Sequence, residues 1–133
     1  MVKNNTLEIQ SKHKDWVSIA EQLIGVPYKW GGRDSIGIDC SALLQICISM
    51  ANIRLPRDTK DQLKFKSDEI NTLQNIRRGH LIFWPGHVAI VQNSENLLHA
   101  NAHYMKVNTE KIEQAIARIE KQYGKFIKIK DIK

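Results

Sequence analysis

The spacing of apolar residues first indicates a helix near the start of the chain. Between Lys12 and Ile24 the apolar positions recur at i, i+3, i+4, i+7 and i+8, which is typical of an amphipathic helix. Gly25 and Pro27 follow, and these residue types commonly end helices. The next stretch, residues 28–37, is rich in glycine and predicts a series of turns.

A second run with helical spacing contains Cys40, Leu43, Leu44, Cys47 and Met50. Asp39 comes directly before this run, and aspartate is a favoured residue at a helix N-cap. The sequence therefore predicts Cys40 at or beside the N-terminus of a helix. Pro56 prevents that helix from continuing, and a short helix is predicted from Arg57 to about Phe65.

Beyond Gly79 the pattern changes to the alternation that is typical of strands. Strands are predicted at Leu81–Trp84, His87–Gln92, Asn96–Ala100 and about Tyr104–Val107, followed by a helix around Ile112–Ile119 and a closing strand around Phe126–Ile129. Helices come first and hairpin-linked strands follow. This order predicts one α+β domain over residues 1–133, with N-terminal helices packed on an antiparallel β-sheet.

Composition and charge narrow the classes of partner. The formal net charge of +6 would suit nucleic acid, but we find neither an aromatic-plus-basic RNA-binding motif nor a helix-turn-helix signature. We therefore expect no nucleic-acid partner. No segment approaches the ~20 apolar residues that span a bilayer, and residues 1–10 lack the apolar core of a secretory signal. We expect no membrane span and a cytoplasmic location for the chain as given, or a periplasmic or secreted one if a leading segment was removed.

The two cysteines differ in their predicted surroundings. Cys40 and Cys47 lie seven positions apart in one predicted helix, about 10 Å between Cα atoms, which is too far for a disulfide. A helix N-terminus and a nearby imidazolium both lower the pKa of a thiol and so favour the reactive thiolate. Cys40 is therefore the candidate nucleophile, and Cys47 is predicted to be a core residue.

Two histidines lie in neighbouring predicted strands. If these strands form a hairpin about the turn at residues 93–96, His87 lies one diagonal step from His99, and the two rings can hydrogen-bond. Together with Cys40 they supply a nucleophile, a base and a group that orients the base. The same three residues could instead bind zinc, but the short ligand spacings of zinc sites are absent from the sequence. We expect neither a metal nor another cofactor.

Several segments together resemble the NlpC family of papain-like cell-wall peptidases. They are Tyr28-Lys-Trp-Gly-Gly, Gly37-Ile-Asp39-Cys40-Ser41, Leu55-Pro-Arg57 with Gln62, Gly79-His-Leu-Ile-Phe-Trp84, His87-Val-Ala-Ile-Val and Leu98-His99-Ala. Their order and spacing agree with the family from about residue 12 to residue 108. One departure is His80, which stands where the family usually has a turn-capping Asp. We expect it to change local hydrogen bonding without loss of activity.

The resemblance implies roles for particular residues. Cys40 would be the nucleophile, His87 the base and His99 the third member, while Tyr28, Asp39 and Ser41 would line the substrate site. Core packing is the commoner role of the three tryptophans, and Trp30, which lies beside Gly31 and Gly32, is the best candidate among them for the rim of the groove.

The family typically cleaves after a γ-linked D-glutamate in peptidoglycan stem peptides, often before a diamino acid. We therefore expect a monomeric cysteine peptidase of this specificity, in which Asp39 binds the free amino terminus of a trimmed stem peptide. Two alternatives stay open at this point. One is a catalytically silent wall-binding domain, and the other is an acyltransferase that passes a thioester to an acceptor other than water.

Overall fold

The structure, a computed structural model, describes residues 15–34, 37–51, 53–65, 67–70 and 72–131. The helices in these ranges are α1 (Val17–Gln22), α2 (Cys40–Ser49), α3 (Thr59–Leu63) and α4 (Ile112–Tyr123), with a 3₁₀ turn at Leu73–Asn75. The strands are β1 (Arg33–Asp34), β2 (Gly37–Ile38), β3 (Asp68–Ile70), β4 (His80–Trp84), β5 (His87–Val91), β6 (Asn96–Asn101), β7 (Lys106–Lys111) and β8 (Lys128–Asp131).

The core of the fold is an antiparallel sheet covered on both faces. Its strand order is β3-β8-β4-β5-β6-β7, while β1 and β2 form a separate two-stranded ladder. One face of the sheet packs against α1 and α2 through Phe83, Val88 and Leu98. The other face packs against α4, where Ile82 and Val91 belong to a second apolar cluster. The predicted α+β fold with N-terminal helices on an antiparallel sheet is confirmed.

The helix α4 explains why the central strands are buried on both faces. Every residue of β4 and β5 is buried, because helices lie against both of their faces. Ile112, Ala115 and Ile119 recur at the helical spacing of a single stripe and form the buried side of α4. Gly124, with a φ of +94°, follows the last turn in a conformation that glycine adopts without strain.

Several element boundaries differ from the sequence expectation. The described part of the first helix is Val17–Gln22, and residues 12–14 of the predicted helix lie outside the described residues. The third helix covers Thr59–Leu63 and does not include Arg57, whose side chain donates a hydrogen bond to Asp39. The ladder of β1 and β2 and the short strand Asp68–Ile70 were not predicted, because neither has a run of alternating apolar residues.

The prediction of a strand at Tyr104–Val107 was wrong by several residues. Residues 102–105 form a turn, in which the side-chain oxygen of Asn101 accepts a hydrogen bond from the Tyr104 N–H at 2.8 Å and Met105 has a φ of +60°. The strand begins at Lys106 and pairs with β6 as far as Lys111. It is an edge strand with few apolar positions, so its sequence gives little sign of its extent.

Among the helices of the described residues, none combines the length and the apolar character that crossing a bilayer requires.

Candidate active site

The candidate nucleophile lies at the first residue of α2. The Asp39 side chain caps this helix by accepting a hydrogen bond from the Ala42 N–H at 2.8 Å, as the sequence predicts. The Cys40 side chain is buried and its Sγ lies 3.7 Å from Thr59 Oγ1. The backbone N–H of Val88 lies close enough to the sulfur to lower its pKa, although burial outweighs this effect. The start of β5, where His87 lies, is therefore next to the nucleophile.

The two candidate histidines are in direct contact. Nε2 of His87 lies 2.8 Å from Nδ1 of His99, and both rings are buried. The pairing of β5 with β6 gives the predicted register, with Ile90 opposite Leu98. This hydrogen bond leaves Nδ1 of His87 as the ring nitrogen available to Cys40.

The three residues share one cavity. It has a volume of about 370 Å³, and its lining includes Cys40, His87 and His99. We call it the histidine cavity. Its remaining walls come from the loop that carries Tyr28, from the turn after β6 and from α4. The structure thus brings together the nucleophile, base and orienting group that the sequence predicts as a set.

Burial dominates the protonation of these groups. It raises the pKa of the Cys40 thiol and holds the pKa of His87 well below its usual range. Burial also lowers the pKa of His99. The sequence expectation was a sulfur ionised by the helix N-terminus and a nearby imidazolium, and here the cost of burying charge outweighs both effects. For Cys40 to act as the predicted nucleophile, its proton would have to pass to His87 during the attack.

The carboxylate of Asp39 is enclosed by donors from its own chain. It accepts hydrogen bonds from the N–H groups of Gly31 and Ala42, from Ser41 Oγ and from both terminal nitrogens of Arg57, which form a bidentate ion pair. These five bonds exceed the roughly four lone-pair sites of a carboxylate. A substrate amine would have to displace one of them. Arg57 also donates to Ser41 Oγ at 2.8 Å.

A second cavity lies on this side of Cys40. It has a volume of about 530 Å³, is lined in part by Asp39, Ser41 and Arg57, and is called here the loop cavity. Tyr28 and Trp30 line both cavities, so they stand between the two. Trp30 is 83% exposed, in agreement with its predicted place at a rim. Burial raises the pKa of Tyr28 to about 12, so its hydroxyl is a hydrogen-bond donor at neutral pH.

Two glycines allow the loop before Cys40 to close on itself. A Cβ atom on Gly32 would lie 2.4 Å from the carbonyl oxygen of Gly37, and one on Gly37 would lie 2.5 Å from Cβ of Lys29. Neither position has room for a larger residue without movement of the backbone. This close approach packs the described residues 28–34 against residues 37–39, which directly precede Cys40.

Sequence reasoning missed three residues that contact the site. Thr59 contacts the sulfur, and Glu110 accepts a hydrogen bond from His99 Nε2 at 3.0 Å. Arg118 in turn holds Glu110 through Nε at 3.1 Å and Nη2 at 2.8 Å. A correct boundary for β7 would have revealed Glu110, because Leu97 faces Glu110 across the ladder and shares a sheet face with His99.

The contacts of His99 bear on the alternative of a zinc site. One ring nitrogen bonds His87 and the other bonds Glu110. The ring therefore has no free lone pair to share a metal with Cys40, and the geometry favours proton transfer over metal binding.

His80 takes over the role of a turn cap. Its Nδ1 accepts a hydrogen bond from the Arg77 N–H at 3.0 Å, in the turn that enters β4.

This chain is similar in sequence to known peptidases. Residues 25–125 match the model of the NlpC/P60 family. Dipeptidyl-peptidase 6 of Lysinibacillus sphaericus is 30% identical over 113 residues, which cover 85% of this chain and 41% of that protein. The γ-D-glutamyl-L-lysine dipeptidyl-peptidase of Bacillus cereus is 26% identical over 94 residues, which cover 65% of this chain and 28% of that protein. The chain thus spans less than half the length of these relatives.

Among solved structures, the peptidoglycan hydrolase RipB of Mycobacterium tuberculosis superposes with a TM-score of 0.74 at 21% identity, covering 95% of this chain and 67% of that one. NlpC1 of Trichomonas vaginalis gives a TM-score of 0.77 at 18% identity, over 90% of this chain and 44% of that one. These likenesses support the fold, and the family match extends over most of the chain. The chain belongs to the NlpC/P60 family.

Proposed function

We propose that this protein is a cysteine peptidase that hydrolyses the bond between γ-D-glutamate and a diamino acid in peptidoglycan stem peptides. The observation that carries the proposal is the placement of Cys40, at the start of α2, in one cavity with the hydrogen-bonded pair His87–His99. Similarity to a γ-D-glutamyl-L-lysine dipeptidyl-peptidase supports the choice of bond.

The reaction begins with attack of the Cys40 sulfur on the γ-carbonyl carbon. An S–C bond forms while the thiol proton passes to Nδ1 of His87, and the carbonyl π electrons move to the oxygen. Backbone N–H groups at the start of α2 stabilise the resulting oxyanion, since a helix N-terminus favours negative charge. The Tyr28 hydroxyl, which keeps its proton at neutral pH, is a further donor at the junction of the two cavities.

Collapse of this intermediate breaks the C–N bond, and His87 gives its proton to the leaving amine. The acyl group stays on Cys40 as a thioester. Water then attacks the thioester with His87 as base and releases the free γ-carboxyl group and the Cys40 thiol. Because Cys40, His87 and His99 all come from one chain, we propose that a monomer is sufficient for activity.

The loop cavity is the proposed site for the part of the substrate that precedes the scissile bond. Arg57 and Ser41 are the polar groups that its wall offers, with Asp39 behind them. Trp30 and Tyr28 form the boundary with the histidine cavity, which would then hold the leaving diamino acid. In this proposal Asp39 positions the loop and Arg57.

Incubation with defined muropeptides, followed by mass spectrometry, tests the proposal. The expected products are L-Ala-γ-D-Glu and a fragment that begins with the diamino acid. Cys40→Ala should give no product, whereas Cys47→Ala, which alters a buried cysteine of the same helix, should retain cleavage if it folds. Intact peptides after incubation with the unaltered protein, or cleavage at another bond, would refute the assignment.

A further inference from the structure

The relay behind the nucleophile extends past the histidine pair to a carboxylate. Glu110 on β7 lies 3.0 Å from Nε2 of His99, and Arg118 on α4 binds both oxygens of this carboxylate. The His99 side chain is fully buried and that of Glu110 is 6% exposed. In the described structure the side-chain contacts therefore run from His87 through His99 and Glu110 to Arg118.

The proton positions along this chain follow from the carboxylate. Burial alone would raise the pKa of Glu110, but the hydrogen bonds from His99 and Arg118 lower it to about 2, so the group is ionised and can only accept. Nε2 of His99 must then carry a proton, and Nδ1 of the neutral ring must accept one from Nε2 of His87. As a result, Nδ1 of His87 holds a free lone pair on the ring edge that remains for Cys40.

We propose that Glu110 is a positioning residue for the reaction proposed above. Acting through His99, it keeps Nδ1 of His87 unprotonated and ready to accept the proton of Cys40, while Arg118 holds the carboxylate in place. This inference rests on the proposed peptidase mechanism and extends its proton relay by two residues.

The charges of the two added residues act in opposite directions on the histidines. When His87 takes the proton of Cys40, the histidine pair becomes positive, which the negative charge of Glu110 favours and the positive charge of Arg118 disfavours. The other titratable groups that line the histidine cavity are Tyr28 and His103 on loops and Tyr123 on α4. Tyr28 keeps its proton at neutral pH, so it adds no charge there.

Alkylation of Cys40 by iodoacetamide, followed by mass spectrometry across a range of pH, tests the charge effect without any peptide substrate. In Glu110→Gln the rate of alkylation at neutral pH should fall about tenfold, because the imidazolium that forms when His87 takes the proton of Cys40 loses its counter-charge. In Arg118→Met the rate at neutral pH should rise. At high pH, where the thiol ionises without His87, the rates of all variants should converge.

The controls are exposed residues of the same helix, α4. Glu113→Gln and Lys121→Met remove one charge of each sign and should leave the alkylation rate at neutral pH unchanged. On the stem peptide, Glu110→Gln should lower kcat about tenfold with little change in KM, because the charge of Glu110 stabilises a positive charge that develops on the histidine pair only in the transition state. An unchanged alkylation rate in Glu110→Gln at neutral pH, or changes in the same direction in Glu110→Gln and Arg118→Met, would overturn the proposal.

A spectroscopic measurement keeps the test valid even if the Glu110 variants do not fold. Imidazole ¹⁵N spectra of the Cys40→Ala protein at neutral pH should show the Nε2–H tautomer for both His87 and His99. The Nδ1–H tautomer at His87 would contradict the relay. Since neither alkylation nor these spectra require cleavage, failure of the peptidase assignment and failure of the relay give different results.

Discussion

Two carboxylate–arginine pairs flank Cys40 and the histidine pair, and they differ in what the carboxylate holds. Asp39, paired with Arg57, accepts hydrogen bonds from backbone N–H groups at the start of α2 and in the preceding loop. Glu110, paired with Arg118, accepts from a histidine ring. The first carboxylate therefore fixes the shape of the backbone, and the second fixes the position of protons. The two ion pairs are similar, and they differ in function because one carboxylate also binds backbone N–H groups while the other also binds a histidine ring.

The largest expected effect comes from cutting the link between Glu110 and His87. His99→Ala should lower kcat by about 10²–10⁴-fold, since His87 then loses the group that orients it and stabilises its charge. Measured on the same stem peptide, Glu110→Gln should cost activity in the unaltered protein but almost nothing in the His99→Ala background. Losses that multiply in the double variant would show that Glu110 acts by a route that does not include His99.

The effect of Asp39→Ala should appear first in stability. Loss of the helix cap and an unpaired Arg57 should lower the free energy of unfolding by about 3 kcal/mol, measured by urea denaturation. Asp58→Ala is a matched control, because Asp58 is also an N-cap aspartate but its side chain makes no capping hydrogen bond in the described structure.

The same Asp39 variant decides between positioning and direct recognition of substrate. Because five hydrogen bonds already fill the carboxylate, kcat/KM should fall equally for stem peptides with a free and with an acylated amino terminus. A loss confined to the free-amine peptides would instead assign Asp39 to binding the amino terminus. Asp39 would then act on the substrate directly, and its role would not be limited to holding the backbone as its contacts indicate.

The sequence predicted the parts of this site that depend on local pattern. Asp39 precedes an apolar-periodic run, so the cap and the helix start could be placed without a structure. The register of β5 and β6 followed from the turn at residues 93–96, where the Asn93 side chain accepts hydrogen bonds from the N–H groups of Glu95 and Asn96. That register brought His87 and His99 together.

The partners that complete each pair depend on tertiary packing and could not be predicted in the same way. Arg57 lies 18 residues beyond Asp39 and reaches it because α3 packs near the start of α2. Glu110 lies in an edge strand with two buried positions in six, a pattern too weak to set the strand boundary. Arg118 shares α4 with an apolar stripe, and the sequence does not show that this helix covers the histidine side of the sheet.

The smallest expected effect, and the one most specific to charge, is the acid dependence of stability. The pKa of Glu110 is about 2 in the folded protein against an ordinary value of 4.5, so the unfolded chain binds a proton more readily. Stability from this group is complete above pH 4.5 and is lost as the pH falls from about 4.5 toward 2. A shift of this size corresponds to roughly 3 kcal/mol.

Urea denaturation of the unaltered protein and of Glu110→Gln at a series of pH values measures this contribution directly. The difference in unfolding free energy should be largest near pH 5 and should shrink as the pH approaches 2, because the glutamate then carries a proton and resembles the amide. Glu113→Gln, on the exposed side of α4, should show no such narrowing. A difference that stays constant over this range would mean that Glu110 stabilises the fold by packing and not by its charge. The charge of Glu110 could then no longer be used to distinguish its role from that of Asp39, which holds the backbone.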